Sequence, residues 1–213
     1  MNDFINTFNE YEFTEISKKL NASPIIRDAA IEYTNSSYFN KLKTSVRRDR
    51  RGEVVFCVIR PNGRVIAITC EEYPKGIFRI PTGGIGHNEN IIEAVHREVM
   101  EELGLKVEIR KFCGVIRIRF THAGQSVMFY SYVFLLGETG GRLLEDASDD
   151  EVSEVREVSL DELEKIVGEL GNIQGKWKDW GKFRYITSGS VLDFLRQEEP
   201  AKTPVMDNFN GHA

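Results

Sequence analysis

Glu98, Glu101 and Glu102 stand at i, i+3 and i+4 within GGIGHNENIIEAVHREVMEELGL, residues 83 to 105. On a helix, residues three and four apart are neighbours, so these carboxylates converge near one border of it. Oxygen donors gathered in this way suit a hard cation, which can in turn hold phosphate oxygens. The plainer reading is a helix surface covered with glutamate, a good helix former. Against it, like charges at i,i+4 repel, and carboxylates near a helix C-terminus oppose the macrodipole, each costing roughly 0.3 kcal/mol or more. A bound cation would remove that cost.

The stretch also contains the means to position those carboxylates. Asn88 is expected to cap a helix that starts at Glu89, runs to Leu103 without Gly or Pro, and stops at Gly104. Ile91, Ile92, Val95, Val99 and Leu103 then form one apolar stripe, with Glu98 and Glu102 on its edge and Glu101 further toward the polar side. Arg97 can form a charge-assisted pair that orients a neighbouring carboxylate; alone on a surface, such a pair contributes little. Gly83, Gly84 and Gly86 permit close approaches that side chains would forbid.

Together, Gly83, Glu89, Arg97, Glu98, Val99, Glu101, Glu102, Gly104 and Leu105 form a fixed pattern. With frequencies of about 0.06 per Gly or charged position and about 0.45 per apolar one, its chance occurrence in such a chain is on the order of 10⁻⁷. The pattern resembles the Nudix box. FRIPTGGI before it and EVREVSLDEL after it are also similar to Nudix sequence, so the resemblance covers roughly residues 52 to 170.

That resemblance implies an α/β Nudix fold, a mixed β-sheet sandwiched between α-helices. It implies hydrolysis of a diphosphate linkage in a nucleoside diphosphate derivative: ADP-ribose, a nucleotide sugar, a dinucleotide or a nucleoside triphosphate. Mg²⁺ or Mn²⁺ would be the cofactor, with Glu98, Glu101 and Glu102 as metal residues. Glu98, Glu101, Arg97 and Glu151 are the catalytic candidates, and Gly83, Gly84 and Glu89 belong to the loop beside metal and phosphates. In the family the base is sometimes a box glutamate and sometimes one on a later loop. Asp149, Asp150 and Glu151, in EDASDDEVSE, are the later candidates here, against the alternative of a solvated charge run. A competing function is a nucleotide-derivative-sensing regulator built on the same domain. A pure sensor would be expected to carry a degenerate box, and this one is intact.

Substrate choice lies outside the box. Arg117, Arg119, His122 and Gln125 are ligand candidates and equally surface residues. Trp177, Trp180 and Phe183, in WKDWGKF, could stack a nucleobase or pack a terminal helix, the commoner use.

Around the box, 53 to 60 and 64 to 71 read as a hairpin across Pro-Asn-Gly at 61 to 63. The segments 106 to 120 and 126 to 136, rich in Val, Ile, Phe and Tyr, read as long strands, and 152 to 158 as another. SLDELEKIVGEL reads as a helix with a Ser159/Glu162 capping box, and 182 to 197 as an amphipathic helix weakened by Gly189. The expected organisation is an N-terminal helical extension over 1 to 50, a domain over 51 to 197 and a flexible tail over 198 to 213. Within the extension, 13 to 20 and 25 to 42 suggest two helices, suited to a cap, a homodimer contact or a partner-binding element.

The 213 residues suffice for one well-filled domain, and 41% hydrophobic content suits a globular chain. A net charge of −5 gives no general reason to bind nucleic acid or an anionic membrane. VRRDRR at 46 to 51 is equally a solvated linker. Cys57, Cys70 and Cys113, far apart in apolar segments, read as reduced core thiols. The longest apolar run, 127 to 136, is too short to span a bilayer as a helix. The expected location is cytoplasmic.

Overall fold

A computed structural model describes residues 8 to 148 and 151 to 198. Its elements follow the chain as α1 (Glu10–Lys19), β1 (Ile25–Glu32), α2 (Ser36–Arg48), β2 (Gly52–Ile59), β3 (Val65–Thr69), β4 (Thr82–Ile85), α3 (Ile91–Leu103), β5 (Leu105–His122), β6 (Gln125–Gly141), β7 (Glu154–Val158), α4 (Leu160–Gly171) and α5 (Lys178–Glu198). The strands form one mixed sheet in the order β1-β5-β6-β2-β3-β7, with β4 paired to β2. Strands β1/β5 and β2/β6 are parallel, while β2/β3, β3/β7, β2/β4 and β5/β6 are antiparallel.

Alternation along β2 sorts the two faces of the sheet. Val54, Phe56 and Val58 belong to a core shared with Ile16 of α1 and Ile91, Val95 and Val99 of α3. Val55 and Cys57 belong to a second core with Phe39 of α2, Leu163 and Val167 of α4, and Val191 and Leu195 of α5. The sheet therefore lies between helices on both faces. With each fully buried Val or Ile contributing about 1.5–3 kcal/mol, the apolar stripe of α3 anchors that helix firmly while its acidic border stays open.

The hairpin turns at Gly63, whose backbone is left-handed at φ 79°. β5 and β6 extend to 18 and 17 residues, with register shifts near Lys106, Ile109 and Phe112 that bend the pair. In α4, Ser159 and Glu162 form the reciprocal capping box. The last helix begins earlier than expected, after a single 3₁₀ turn over Gly175–Trp177, and continues through Gly189.

One element differs in kind from the sequence reading. Residues 25 to 42 hold β1 and the first half of α2, with Asn35 capping α2 by accepting from the Ser37 and Tyr38 amides. β1 pairs in parallel with β5 from Ile25↔Gly114 to Glu32↔Thr121. Its β-branched Ile25, Ile26 and Ile31 fit a strand, which the pairing partner decides. Most of the tail over 198 to 213 lies outside the described residues, and Glu198 closes α5. All three cysteines are free, two of them buried. Among the described residues, no helix is long and apolar enough to cross a membrane.

Candidate catalytic site

The box helix, α3, begins two residues later than the sequence suggested. Asn90, not Asn88, is the N-cap, its Oδ1 accepting from the Ile92 amide at 2.9 Å. Glu89 is thereby left in the loop rather than wound into the first turn. There its Oε2 accepts from the Gly86 amide at 2.9 Å, which helps fix the glycine loop. At the other end Gly104 adopts φ 68° and donates its N–H to the Met100 carbonyl, and a side chain there would strike the backbone at Ala147 and Asp146. The helix is thus held at both ends by residues of the box itself.

Arg97 organises the acidic border. Its guanidinium reaches Glu89 at 2.6 Å, Glu98 Oε1 at 2.8 Å, Glu101 Oε2 at 2.8 Å and the Gly84 carbonyl at 2.8 Å. Paired in this way, Glu89 is held below the usual carboxylate range, mainly by its hydrogen bond from Arg97. Glu98 moves the opposite way, because burial outweighs the help of Arg97. Glu102, further along the same helix, is buried at 7% exposure.

Gly83, on β4, lies flat against Glu98. A Cβ there would fall far inside contact distance of the Glu98 carboxyl, so only glycine lets this carboxylate lie beside the strand. Glu89, Glu98, Glu101, Glu102, Arg97, Gly83, Gly84 and Gly86 all line one cavity of about 540 Å³. Glu151, from the segment before β7, lines it as well. Burial pushes the Cys70 thiol up, and the charges of Glu102 and Glu151 add to that, which brings both carboxylates near that residue. Asp149 and Asp150, the other loop candidates, lie outside the described residues.

The rest of the lining was not anticipated: Asp49, Arg50, Tyr73, Arg79, Thr82 and Arg184 share the same cavity. Arg79 is 5% exposed; its Nε donates to the Tyr73 hydroxyl at 2.9 Å, and its Nη1 to the Ile80 carbonyl and Thr82 Oγ1. Arg184 comes from α5 and donates through Nη1 to both carboxylate oxygens of the buried Glu53 on β2, itself bonded to the Ser131 hydroxyl. A hydrogen bond from the Ile80 amide to Ser188 Oγ ties α5 to the segment before β4 and brings the two arginines to one cavity. Arg79 stands inside the FRIPTGG phrase, a local signal that could have marked it. Arg184 had none, because an unremarkable helix supplies it from about a hundred positions away.

The other ligand candidates lie elsewhere. Arg117 pairs with Asp28 at 2.8 Å on the β1/β5 surface, His122 Nδ1 contacts the Tyr33 carbonyl, and Gln125 accepts from Lys43. Phe183 is buried in the core, as its packing role required. Trp177 and Trp180 pack with each other and with Tyr73, at centroid distances of 5.4, 6.1 and 4.5 Å. They brace Tyr73, and through it Arg79.

The donors match a hard cation, since oxygen ligands from Glu98, Glu101, Glu102 and Glu151 share the cavity. Among the described residues no three acidic, His or Cys side chains are already gathered as a ligand cage. Arg97 holds one oxygen each of Glu98 and Glu101. Mg²⁺ is commonly held by one or two carboxylates together with substrate phosphates rather than by an all-protein cage, and this arrangement suits that habit.

Comparison with known proteins supports the family resemblance. A family model described as NUDIX domain matches residues 49 to 180, more than half of the chain. An ADP-ribose pyrophosphatase from Methanocaldococcus jannaschii is 28% identical over 124 residues, which cover 58% of this chain and 70% of that one. Among solved structures, a MutT protein from Methanosarcina mazei is 17% identical, covering 80% of this chain and 98% of that one at a TM-score of 0.43. A NUDIX hydrolase from Nitrosomonas europaea is 16% identical, covering 65% and 88% at a TM-score of 0.45.

Proposed function

The chain belongs to the Nudix family, and from that premise we propose that it is a divalent-metal-dependent hydrolase cleaving the diphosphate linkage of a nucleoside diphosphate derivative. The observation that carries this reading is the meeting in one cavity of the box carboxylates, the glycine loop and Glu151. The 28% identical relative is named ADP-ribose pyrophosphatase, and that name is the reason to test ADP-ribose first.

In this reading Glu98, Glu101 and Glu102 hold Mg²⁺ or Mn²⁺. When bound, the metal polarises phosphoryl oxygens, acidifies the attacking water and offsets charge on the leaving phosphate. The chain's own groups do the rest. Arg97 holds Glu98 through Oε1, which leaves Oε2, beside Gly83, open either to the cation or, where Glu101 and Glu102 hold the cation, to a proton from water. Burial raises the affinity of Glu98 for that proton, which suits a base better than an ordinary carboxylate. Glu151 is the second acceptor that the cavity offers. Glu89 keeps Arg97 in place and fixes the loop through the Gly86 amide.

The test is turnover of a panel of ADP-ribose, nucleotide sugars, dinucleotides and nucleoside triphosphates, with Mg²⁺, with Mn²⁺ and with EDTA. Glu102→Gln is expected to lower kcat/KM at least about a hundredfold, as for lost metal coordination. Equal activity in that variant would refute the metal assignment. Thermal protection by one of these compounds without any turnover would replace the hydrolase by the nucleotide-sensing regulator.

A further inference from the structure

We infer that Glu12 and Arg51 are positioning residues, which anchor the junction between the glycine loop and α3 and through it hold Arg97 against the catalytic carboxylates. The word catalytic rests on the hydrolase reading; the anchor itself rests on geometry.

Glu12 and Arg51 form a bidentate pair, with Arg51 Nη2 donating to Glu12 Oε1 and Nη1 to Oε2, both at 2.8 Å. The side chains of Glu12 and Arg51 are 14% and 11% exposed, dry enough for the pair to keep one geometry. Both then reach the same stretch of backbone. Arg51 Nη2 donates to the Glu89 carbonyl at 2.7 Å, and Glu12 Oε1 accepts from the Ile91 amide at 3.3 Å. That amide is the first of α3, one of the donors that a helix leaves without an internal partner, and a carboxylate is the acceptor its dipole favours.

The stretch so held is where loop and helix meet. With its carbonyl fixed by Arg51, Glu89 gives its carboxylate to the Gly86 amide and to Nε and Nη2 of Arg97. Arg97 in turn holds Glu98 and Glu101. A continuous series of hydrogen bonds and ion pairs thus runs from α1 to the acidic border. The sequence offers a competing start for the helix at Asn88, a cap as good as Asn90. A helix begun there would wind Glu89 into its first turn and take that carboxylate from the loop. Anchoring 89 to 91 from outside keeps the later start.

α1 is a firm base for the anchor. Ile16 is 3% exposed and shares a core with Ile91 and Val95, Phe13 packs on Phe112 with ring centroids 5.5 Å apart, and the Glu12 amide donates to the capping Asn9. Loop and helix nevertheless do not pack flush. A cavity of about 590 Å³ opens between Tyr11, Glu15 and Lys19 of α1 and His87, Asn88 and Asn90 of the loop, so polar contacts carry the join. α1 also lies before residues 49 to 180, the span of the family match, so a segment outside the matched domain sets geometry inside it.

Glu12→Ala is expected to lower kcat roughly tenfold and to leave KM within about twofold, because it displaces reacting groups rather than a binding surface. In a Glu89→Gln background the same change should lower kcat no further, since the series is already cut. Glu15→Gln, at an exposed position of α1, should leave both constants as in wild type. NMR hydrogen exchange reads the anchor without turnover: in Glu12→Ala the Gly86 amide and the Arg97 Nε–H should exchange about tenfold faster, while amides of the β5/β6 ladder keep their rates. Melting temperatures decide whether Glu12→Ala is folded. If it is not, Glu12→Gln, which keeps an acceptor and the shape but not the charge, takes its place with a smaller expected loss. A folded variant with unchanged kcat and unchanged exchange at Gly86 and Arg97 would overturn the anchor, and so would a kcat loss that adds in full to that of Glu89→Gln. Faster exchange at those two groups in a chain that hydrolyses nothing would support the anchor while the hydrolase reading falls.

Discussion

The two walls of the cavity hold their charges differently. On the α3 wall, Arg97 and Glu101 are 37% and 41% exposed, and Arg97 spreads its contacts over Glu89, Glu98 and Glu101. On the wall that carries Arg184, that residue and Glu53 are 10% and 1% exposed, fixed by the core around them. Arg97 and Glu101 can move without disturbing the core; the Arg184–Glu53 pair cannot.

The sharpest way to break that contrast is to remove one cation from each wall. Arg184→Met leaves the Glu53 carboxylate buried with only the Ser131 hydroxyl, so it should cost about 3–5 kcal/mol of folding stability. Arg97→Met removes more ion pairs but in a wetter place, and should cost below about 1 kcal/mol. Urea denaturation of both variants measures the difference. Similar losses would mean that burial does not separate the walls as described.

Gly83→Ala probes the α3 wall without altering a charge. The new Cβ must displace the Glu98 carboxyl, the mobile end of a side chain, so stability should change little. Activity should nevertheless fall roughly tenfold to a hundredfold, since small misplacements of reacting groups carry costs of that order. Steady-state kinetics beside a thermal melt tests it. A fall in both together would make Gly83 a packing residue only.

The same contrast explains what could be read from the chain alone. The α3 wall is local: its carboxylates, arginine and glycines lie within 23 consecutive residues, 83 to 105, and helix periodicity aligns them. The capping box of α4 and the hairpin at Gly63 were legible for the same reason. The helix start was missed by two residues because Asn88 and Asn90 are equally good caps, and tertiary contacts choose between them. One such contact is Glu12 of α1, which accepts from the Ile91 amide and pairs with Arg51. β1 was read as helix because its alternation is weak and a distant partner, β5, decides its state. Arg184 was invisible because its role depends on Glu53, 131 positions away in sequence.

The smallest expected effect is a pH dependence peculiar to the α3 wall. Glu89 is held below its ordinary value of 4.5, so the stability it contributes is present above pH 4.5 and lost as pH falls through its folded value. Glu98 is held above 4.5, mainly by burial, so the folded protein binds that proton more tightly than the unfolded chain does. Stability therefore declines as pH rises from 4.5 through the folded value of Glu98. Glu98→Gln should abolish this decline: in EDTA, its melting temperature relative to wild type should climb as pH rises above 4.5 and stay flat below. Adding Mg²⁺ at pH 7 should then stabilise the wild type more than the variant, because a cation compensates the buried carboxylate that the variant lacks. A melting-temperature difference independent of pH would show that Glu98 ionises as an ordinary surface carboxylate, and the α3 wall would lose its claim to a strained acidic border.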